Sequence, residues 1–372
     1  MKLKILQVSD AYYPFPSGVA EHMHHLSLSL RKRGHKVYIL TGRYGDEKDE
    51  EYVKRVGKVY RFKSNQAEVT VTFSLKLPFE VKEFIRENKF DVIHTHGPLA
   101  INLPFLALHF SKSINVATFH TAFYGYNFYK FAKYFFKNHF KKLHKAICVS
   151  KKAFDELYPY FPYKEKYEII PNGIDTKRFS PEGKKIDKFL KYEFKILYVG
   201  RLEPRKGFPV LLKAFELIHE KIPAILIVVG KGIEEEKYKS MVSEKLKEKV
   251  FFEGFVKPDK LPEYYRTCDL YVAPSLGGET FGIVLLEGMA SGKCVIASNI
   301  PGYNEVIKNF ENGILFEKGN YKELSEKILT IYKDEKLRKE IAERGLKFSK
   351  NFDWDKIAEK VERVYFEIIK TL

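Results

Sequence analysis

Apolar residues in this chain fall in short runs that alternate with longer stretches of helical period. Leu3–Val8 reads as a strand, and Gly18–Arg33 as a helix with Met23, Leu26 and Leu30 on one face, closed by Gly34. Further strands are expected at Lys36–Thr41, Val59–Phe62, Val92–Thr95, Val116–His120, Ile147–Ser150 and Glu168–Pro171. Helical spacing recurs between them, as at Val81, Phe84 and Ile85. Ser180–Tyr192 is polar and lysine-rich, carries Pro181 and Gly183, and reads as a linker. The pattern then restarts with strand Lys195–Val199, helix Pro209–His219 and strand Ile225–Val229. Strands follow at Val250–Phe252, Leu270–Ala273, Val295–Ala297 and Ile314–Phe316. Such alternation predicts α/β architecture: two doubly wound, Rossmann-like domains, each a parallel sheet between helices. The expected division is 1–187 and 188–352, with a last helix, 353–372, packing back onto the first domain.

Composition narrows this picture only in part. The 372 residues suffice for two cores, and 45% apolar with 30% charged residues fits a folded globular chain. No apolar run is long enough to span a bilayer, and Met1–Val8 reads as a strand rather than a signal peptide, so a cytoplasmic location is expected. Cys148, Cys268 and Cys294 lie apart in apolar segments and read as buried hydrophobes. The net charge of +17 attracts anions of any kind, whether nucleic acid, lipid surface or phosphorylated substrate. No recognisable nucleic-acid-binding motif accompanies it, so no nucleic-acid partner is expected.

Ligands of doubly wound sheets bind beyond the carboxyl ends of the strands. Two segments there carry candidate chemistry. In Ala273–Glu287, a strand gives way to Gly277 and Gly278 and then to a helix expected near Thr280. Free N–H groups from Phe281 to Val284, Gly282 and Ile283 included, suit a phosphate. Glu279 and Glu287, about two turns apart, would share a helix face and suit hydroxyl recognition. A surface Glu287 paired with lysine is the plainer account, but its neighbours Leu285, Leu286, Met289 and Ala290 are apolar. The second segment, Gly200–Gly207, sets Arg201, Arg205 and Lys206 in a turn between strand and helix. It lacks Walker spacing, and no G-x-G-x-x-G follows Val8, which argues against P-loop and dinucleotide enzymes.

These segments, with Pro16–His22, Phe119–Thr121, Ile170–Asp175, Val199–Arg201 and Val229–Gly232, resemble in order and spacing the retaining glycosyltransferases of family 4, whose two domains face one another in the GT-B fold. The wording is nearest to the phosphatidylinositol mannosyltransferases. The resemblance implies a metal-independent transfer from a nucleoside-diphosphate sugar, GDP-mannose favoured, with no cofactor. It implies that Arg201 and Lys206 neutralise the diphosphate, Glu287 binds the ribose, and Glu279 and His120 contact the transferred sugar. It brings the Gly18 N–H to the diphosphate, although Ser17 stands where the family usually has a first glycine. Donor contacts are implied for Gly200 and Gly278, and base contacts near Gly230 and Phe255. Front-face attack by the acceptor hydroxyl is the implied mechanism. UDP-glucose or UDP-N-acetylglucosamine with a soluble acceptor, or a sugar-nucleotide 2-epimerase of the same architecture, are the alternatives.

Two further features bear on partners. His94 and His96 alternate on one strand, but two ligands without a third nearby argue against a metal, and His22, His24 and His25 read mostly as helix surface. Between 126 and 142 a basic, aromatic helix is expected, with Lys130, Lys133, Lys137 and Lys141 on one side and Phe128, Phe131 and Phe135 on another. Such a helix fits an anionic membrane surface, consistent with a lipid acceptor at the inner face of the cell membrane; packing of the aromatics on the sheet is the bland account.

Overall fold

A computed structural model describes residues 1–14, 17–64, 67–120 and 129–372. The chain divides into two compact units, Met1–Gly173 with Trp354–Leu372, and Ile174–Asp353. The strands of the first are β1 (Lys4–Val8), β2 (Lys36–Gly42), β3 (Val53–Val56), β4 (Lys58–Ser64), β5 (Ala67–Phe73), β6 (Val92–His96), β7 (Ile114–Phe119), β8 (Lys145–Cys148) and β9 (Tyr167–Ile169). Seven of them form one parallel sheet in the order β3-β2-β1-β6-β7-β8-β9. The expected strand at Val59–Phe62 exists, as part of β4, but pairs antiparallel with β5 outside that sheet. The reason is chain length: β4 and β5 follow one another too closely for the crossover that parallel pairing requires.

The second unit holds β10 (Phe194–Val199), β11 (Ala224–Val229), β12 (Val250–Gly254), β13 (Leu270–Ala273), β14 (Cys294–Ser298) and β15 (Ile314–Phe316). Their order is β12-β11-β10-β13-β14-β15, all parallel. Every residue of β11 is buried, as expected for a strand covered on both faces. The stretch 180–192 is no linker. Phe189 is fully buried in this unit's core, the Ile186 N–H donates to Thr267 Oγ1 (2.8 Å), and Arg266 Nε donates to the Ser180 carbonyl (2.9 Å). The lysines around Phe189 hide an anchoring aromatic in an otherwise polar sequence.

The final helix, Trp354–Thr371, buries Trp354, Ile357, Ala358, Val361, Val364, Tyr365 and Ile368. These positions recur every three or four residues and form one stripe. The stripe packs with Leu26 and Leu30 of the helix Gly18–Lys32 and with Val92, Val116 and Ile147 of the first sheet. Among the described residues no helix is long and apolar enough to cross a membrane.

Candidate active site

In the second sheet the winding direction reverses between β10 and β13, and a crevice opens beyond the carboxyl ends at such a point. Both candidate donor segments leave from those two strands. After β10, Gly200 and Arg201 lead into a single 3-10 turn, Pro204–Lys206; after β13, Pro274–Gly282 runs as an irregular loop. The Leu276 N–H donates to the Arg205 carbonyl (2.7 Å) and ties the two together.

The tie brings opposite charges into one place. Lys206 Nζ lies 2.6 Å from Glu279 Oε1, and Arg205 Nη1 lies 3.5 Å from the same oxygen. Ser275 Oγ donates to that oxygen at 3.1 Å. Burial alone pushes the Glu279 carboxyl up, but Lys206, Arg205 and Ser275 together bring it below its ordinary value, so it is ionised at neutral pH. Arg201 is more exposed and pairs with Glu203 at 2.8 Å. Of the three cations in the turn, sequence reading chose Arg201 and Lys206; the structure adds Arg205 and Ser275 as direct partners of Glu279. No spacing rule points to either.

The helix Ile283–Ala290 starts three residues later than Thr280, and Glu279 therefore lies in the loop before it. The two carboxylates do not share a helix face; only Glu287 is helical. The cause is Gly282, which takes φ +89° at the N-cap and offers no side chain to cap the helix. Ile283 and Val284, half-buried, consequently present N–H groups that have no intrahelical acceptor. Phe281 is buried in this unit's core. Glu287 accepts a 2.9 Å hydrogen bond from the Tyr265 hydroxyl, a partner that sequence could not show. Gly278 accepts a longer contact from Arg205 through its carbonyl (3.4 Å). Gly200 and Gly230 stand at the ends of β10 and β11, and a Cβ on Gly230 would fall 2.0 Å from the Gly200 carbonyl oxygen. Phe255, past β12, is 60% exposed.

In the first unit Ser17 caps the helix Gly18–Lys32, its Oγ accepting from the Ala20 N–H at 3.1 Å. A Cβ on Gly18 would meet nothing within 4 Å. His120 follows β7, half-buried, with Nε2 2.9 Å from His96 Nδ1. His22 is buried rather than on the helix surface, and packs edge-on against His120 and Trp354. Burial drives His22 down to about 4 and His94 to about 3, and holds His96 and His120 well below 6.5, so all four imidazoles are neutral at pH 7. His94 is a satisfied core residue, bonded to Tyr365 and Thr118 at 2.6 Å each.

The basic helix is present as Tyr129–Lys142. It buries Tyr129, Phe136 and Phe140, whereas Phe131 (70%), Tyr134 (76%) and Phe135 (57%) are exposed. The readings placed on Pro16, Thr121, Tyr126 and Phe128 lie outside the described residues.

Residues 16–178 match the family described as Glycosyltransferase Family 4, and residues 180–348 match Glycosyl transferases group 1. A phosphatidyl-myo-inositol mannosyltransferase of Mycolicibacterium smegmatis is 30% identical over 98% of this chain and 93% of its own. The chain belongs to the family 4 glycosyltransferases. It adopts their GT-B fold, resembling a glycosyltransferase of Rickettsia africae (TM-score 0.80, 23% identity, all of both chains). Anabaena HepE, solved in complex with UDP and glucose, is also similar in fold (TM-score 0.75, 21% identity, 97% of this chain and 98% of that one).

For a family 4 glycosyltransferase the Ser17 cap is informative. Where the resemblance leads to the expectation of a first glycine, a Ser17 hydroxyl satisfies the Ala20 N–H at the helix start. The Gly18 N–H itself is not the group that Ser17 engages.

Proposed function

We propose that this glycosyltransferase moves a hexose, mannose in the first instance, from a nucleoside-diphosphate sugar to a hydroxyl of a phosphoinositol-type lipid, with retention at the anomeric carbon. The observation that carries the donor half is the Lys206–Glu279 pair beside a helix start without a side-chain cap. Arg201 and Lys206 take the diphosphate charge together with the N–H groups at Ile283 and Val284. Glu279, on the same loop, faces the hydroxyls of the transferred sugar, and Glu287, held by Tyr265, faces the ribose. His120 contributes a neutral imidazole to the sugar. The bond from the anomeric carbon to the phosphate oxygen breaks, the acceptor oxygen bonds to that carbon from the same face, and its proton passes to the leaving oxygen. Two cations and a helix start serve the diphosphate in place of a divalent ion.

Mannose and lipid are supported by the similarity to the phosphatidyl-myo-inositol mannosyltransferase of Mycolicibacterium smegmatis. The lipid is also supported by Phe131, Tyr134 and Phe135, exposed on a helix that carries Lys130, Lys133, Lys137 and Lys141. Apolar rings with cations among them suit the boundary of an anionic bilayer, here the inner face of the cell membrane.

The test offers GDP-mannose, UDP-glucose and UDP-N-acetylglucosamine to EDTA-treated protein with phosphatidylinositol vesicles, followed by mass spectrometry and anomeric NMR of the product. A mannosylated lipid of retained configuration is expected. Transfer only from a UDP-sugar, only to a soluble acceptor, or conversion of donor to its epimer would overturn the corresponding part. Trapping of a covalent glycosyl-enzyme would overturn front-face attack.

A further inference from the structure

We propose that His22, His96 and His120 form a binding site for a borderline divalent transition metal, zinc being the natural occupant. One ring nitrogen from each lies within 4.8 Å of the other two. The ring centroids are 4.6 Å apart for His22 and His120, 5.2 Å for His96 and His120, and 5.5 Å for His22 and His96. The residues come from three elements. His96 ends β6 and His120 follows β7, while His22 lies on the helix after β1. The first sheet reverses its winding between β1 and β6, so the cluster stands where doubly wound folds bind ligands.

The hydrogen bonds behind the rings fix which nitrogen is bare. His96 Nε2 is 2.7 Å from Gln7 Oε1, an amide oxygen that can only accept, so Nε2 carries the proton and Nδ1 the lone pair. His22 Nδ1 is 2.9 Å from Asn172 Oδ1, so His22 Nε2 is the unprotonated nitrogen. That nitrogen is buried and has no partner among the described residues. A buried lone pair left unpaired is costly, and a cation would satisfy it. Metal-bound histidines typically donate their other N–H to an oxygen in this way. His94 supplies the contrast within the same strand: both its nitrogens are engaged, and it offers no lone pair.

His96 Nδ1 and His120 Nε2, 2.9 Å apart, share a proton. Metal entry replaces that hydrogen bond: the His120 proton moves to Nδ1, and three neutral imidazoles coordinate through lone pairs with no net proton release. With metal–nitrogen bonds of about 2.0–2.1 Å, the nitrogens would draw in from separations of up to 4.8 Å to roughly 3.3 Å. Three nitrogens and no oxygen ligand select zinc, cobalt or nickel over magnesium or calcium. The three histidines leave a fourth position of a tetrahedral ion for a water. The diphosphate chemistry proposed for the second unit does not call on this ion. A bound metal would take the His120 nitrogen assigned above to the sugar and so slow transfer; that consequence, unlike the binding, rests on the proposed function.

The test titrates metal-free, full-length protein with Co2+ and records visible d–d absorption, then displaces Co2+ with Zn2+. One tetrahedral ion per chain is expected, with affinity at least about 100-fold weaker in both His22→Gln and His120→Gln and about 10- to 100-fold weaker in Asn172→Ala. A cooperative melt checks that each variant folds. No tetrahedral spectrum, or one unchanged in His120→Gln, would overturn the site. The assay uses no sugar nucleotide, so its failure leaves the transferase proposal standing, and the converse holds.

Discussion

Lys206 Nζ sits 2.6 Å from Glu279 Oε1, with both side chains largely shielded from water. On the proposed function, the cation offered to the diphosphate is thus already paired with the carboxylate offered to the sugar. On that proposal the pair holds the lysine in place before a donor arrives, and phosphate and sugar entering together would part its two members.

The pair makes the two halves of donor recognition separable. Glu279→Gln keeps an oxygen for the Ser275 hydroxyl but no longer neutralises Lys206 and Arg205. Free nucleoside diphosphate should therefore bind as tightly as before or tighter, while kcat falls by roughly 100-fold. Calorimetry with the diphosphate alone, set beside steady-state kinetics, checks both directions. Weaker diphosphate binding together with full turnover would remove Glu279 from the sugar site.

The strand, glycine turn and helix that carry this candidate site were legible in sequence because they follow one another locally. What escaped was contact between distant segments. Arg201, Arg205 and Lys206 look alike in a six-residue stretch, and only the Leu276–Arg205 tie decides which of them reach Glu279. Tyr265 belongs to an ordinary amphipathic helix, with nothing local to mark its hydroxyl for Glu287. His22 reads as helix surface until Trp354, from the far end of the sequence, packs against it. The fold's two sheets followed from periodicity, whereas β5 and the anchoring role of Phe189 did not, being set by pairing and packing.

Tyr265 should act as a positioning residue. Its hydroxyl donates to Glu287, and hydrogen bonds to charged groups contribute about 1.5–3 kcal/mol. Tyr265→Phe is expected to raise KM for the donor by about tenfold with kcat nearly unchanged, since the ribose lies away from the bond that breaks. A drop in kcat at constant KM would contradict that placement of Glu287.

Two glycines separate folding from function. Gly282 has φ +89° and a Cβ there would fall 2.6 Å from the Tyr303 ring, so Gly282→Ala should lose about 1–3 kcal/mol. Gly18 has open space around it, so Gly18→Ala should melt at the wild-type temperature or slightly higher. If the Gly18 N–H meets the diphosphate, as the family resemblance implies, the effect should appear in donor affinity, because a methyl there would obstruct it. Unchanged donor affinity in a fully folded Gly18→Ala would take Gly18 out of the site.

Asp10 gives the fold a pH dependence of its own. Burial raises its carboxyl to about 6, against opposing hydrogen bonds from the N–H groups of Thr72 (2.8 Å) and Leu103 (3.3 Å). A raised carboxyl favours the folded state while protonated, so its contribution is complete below about 3.8 and is lost as pH rises through about 6. The loss amounts to about 3 kcal/mol. Both N–H donors fall on Oδ1, so Asp10→Asn can keep them while removing the titration. Denaturant melts of the two proteins should agree near pH 4. The variant should then gain on wild type up to pH 6 and hold a constant lead above it. A difference that does not vary across this window would mean that Asp10 keeps an ordinary acidity in the folded chain.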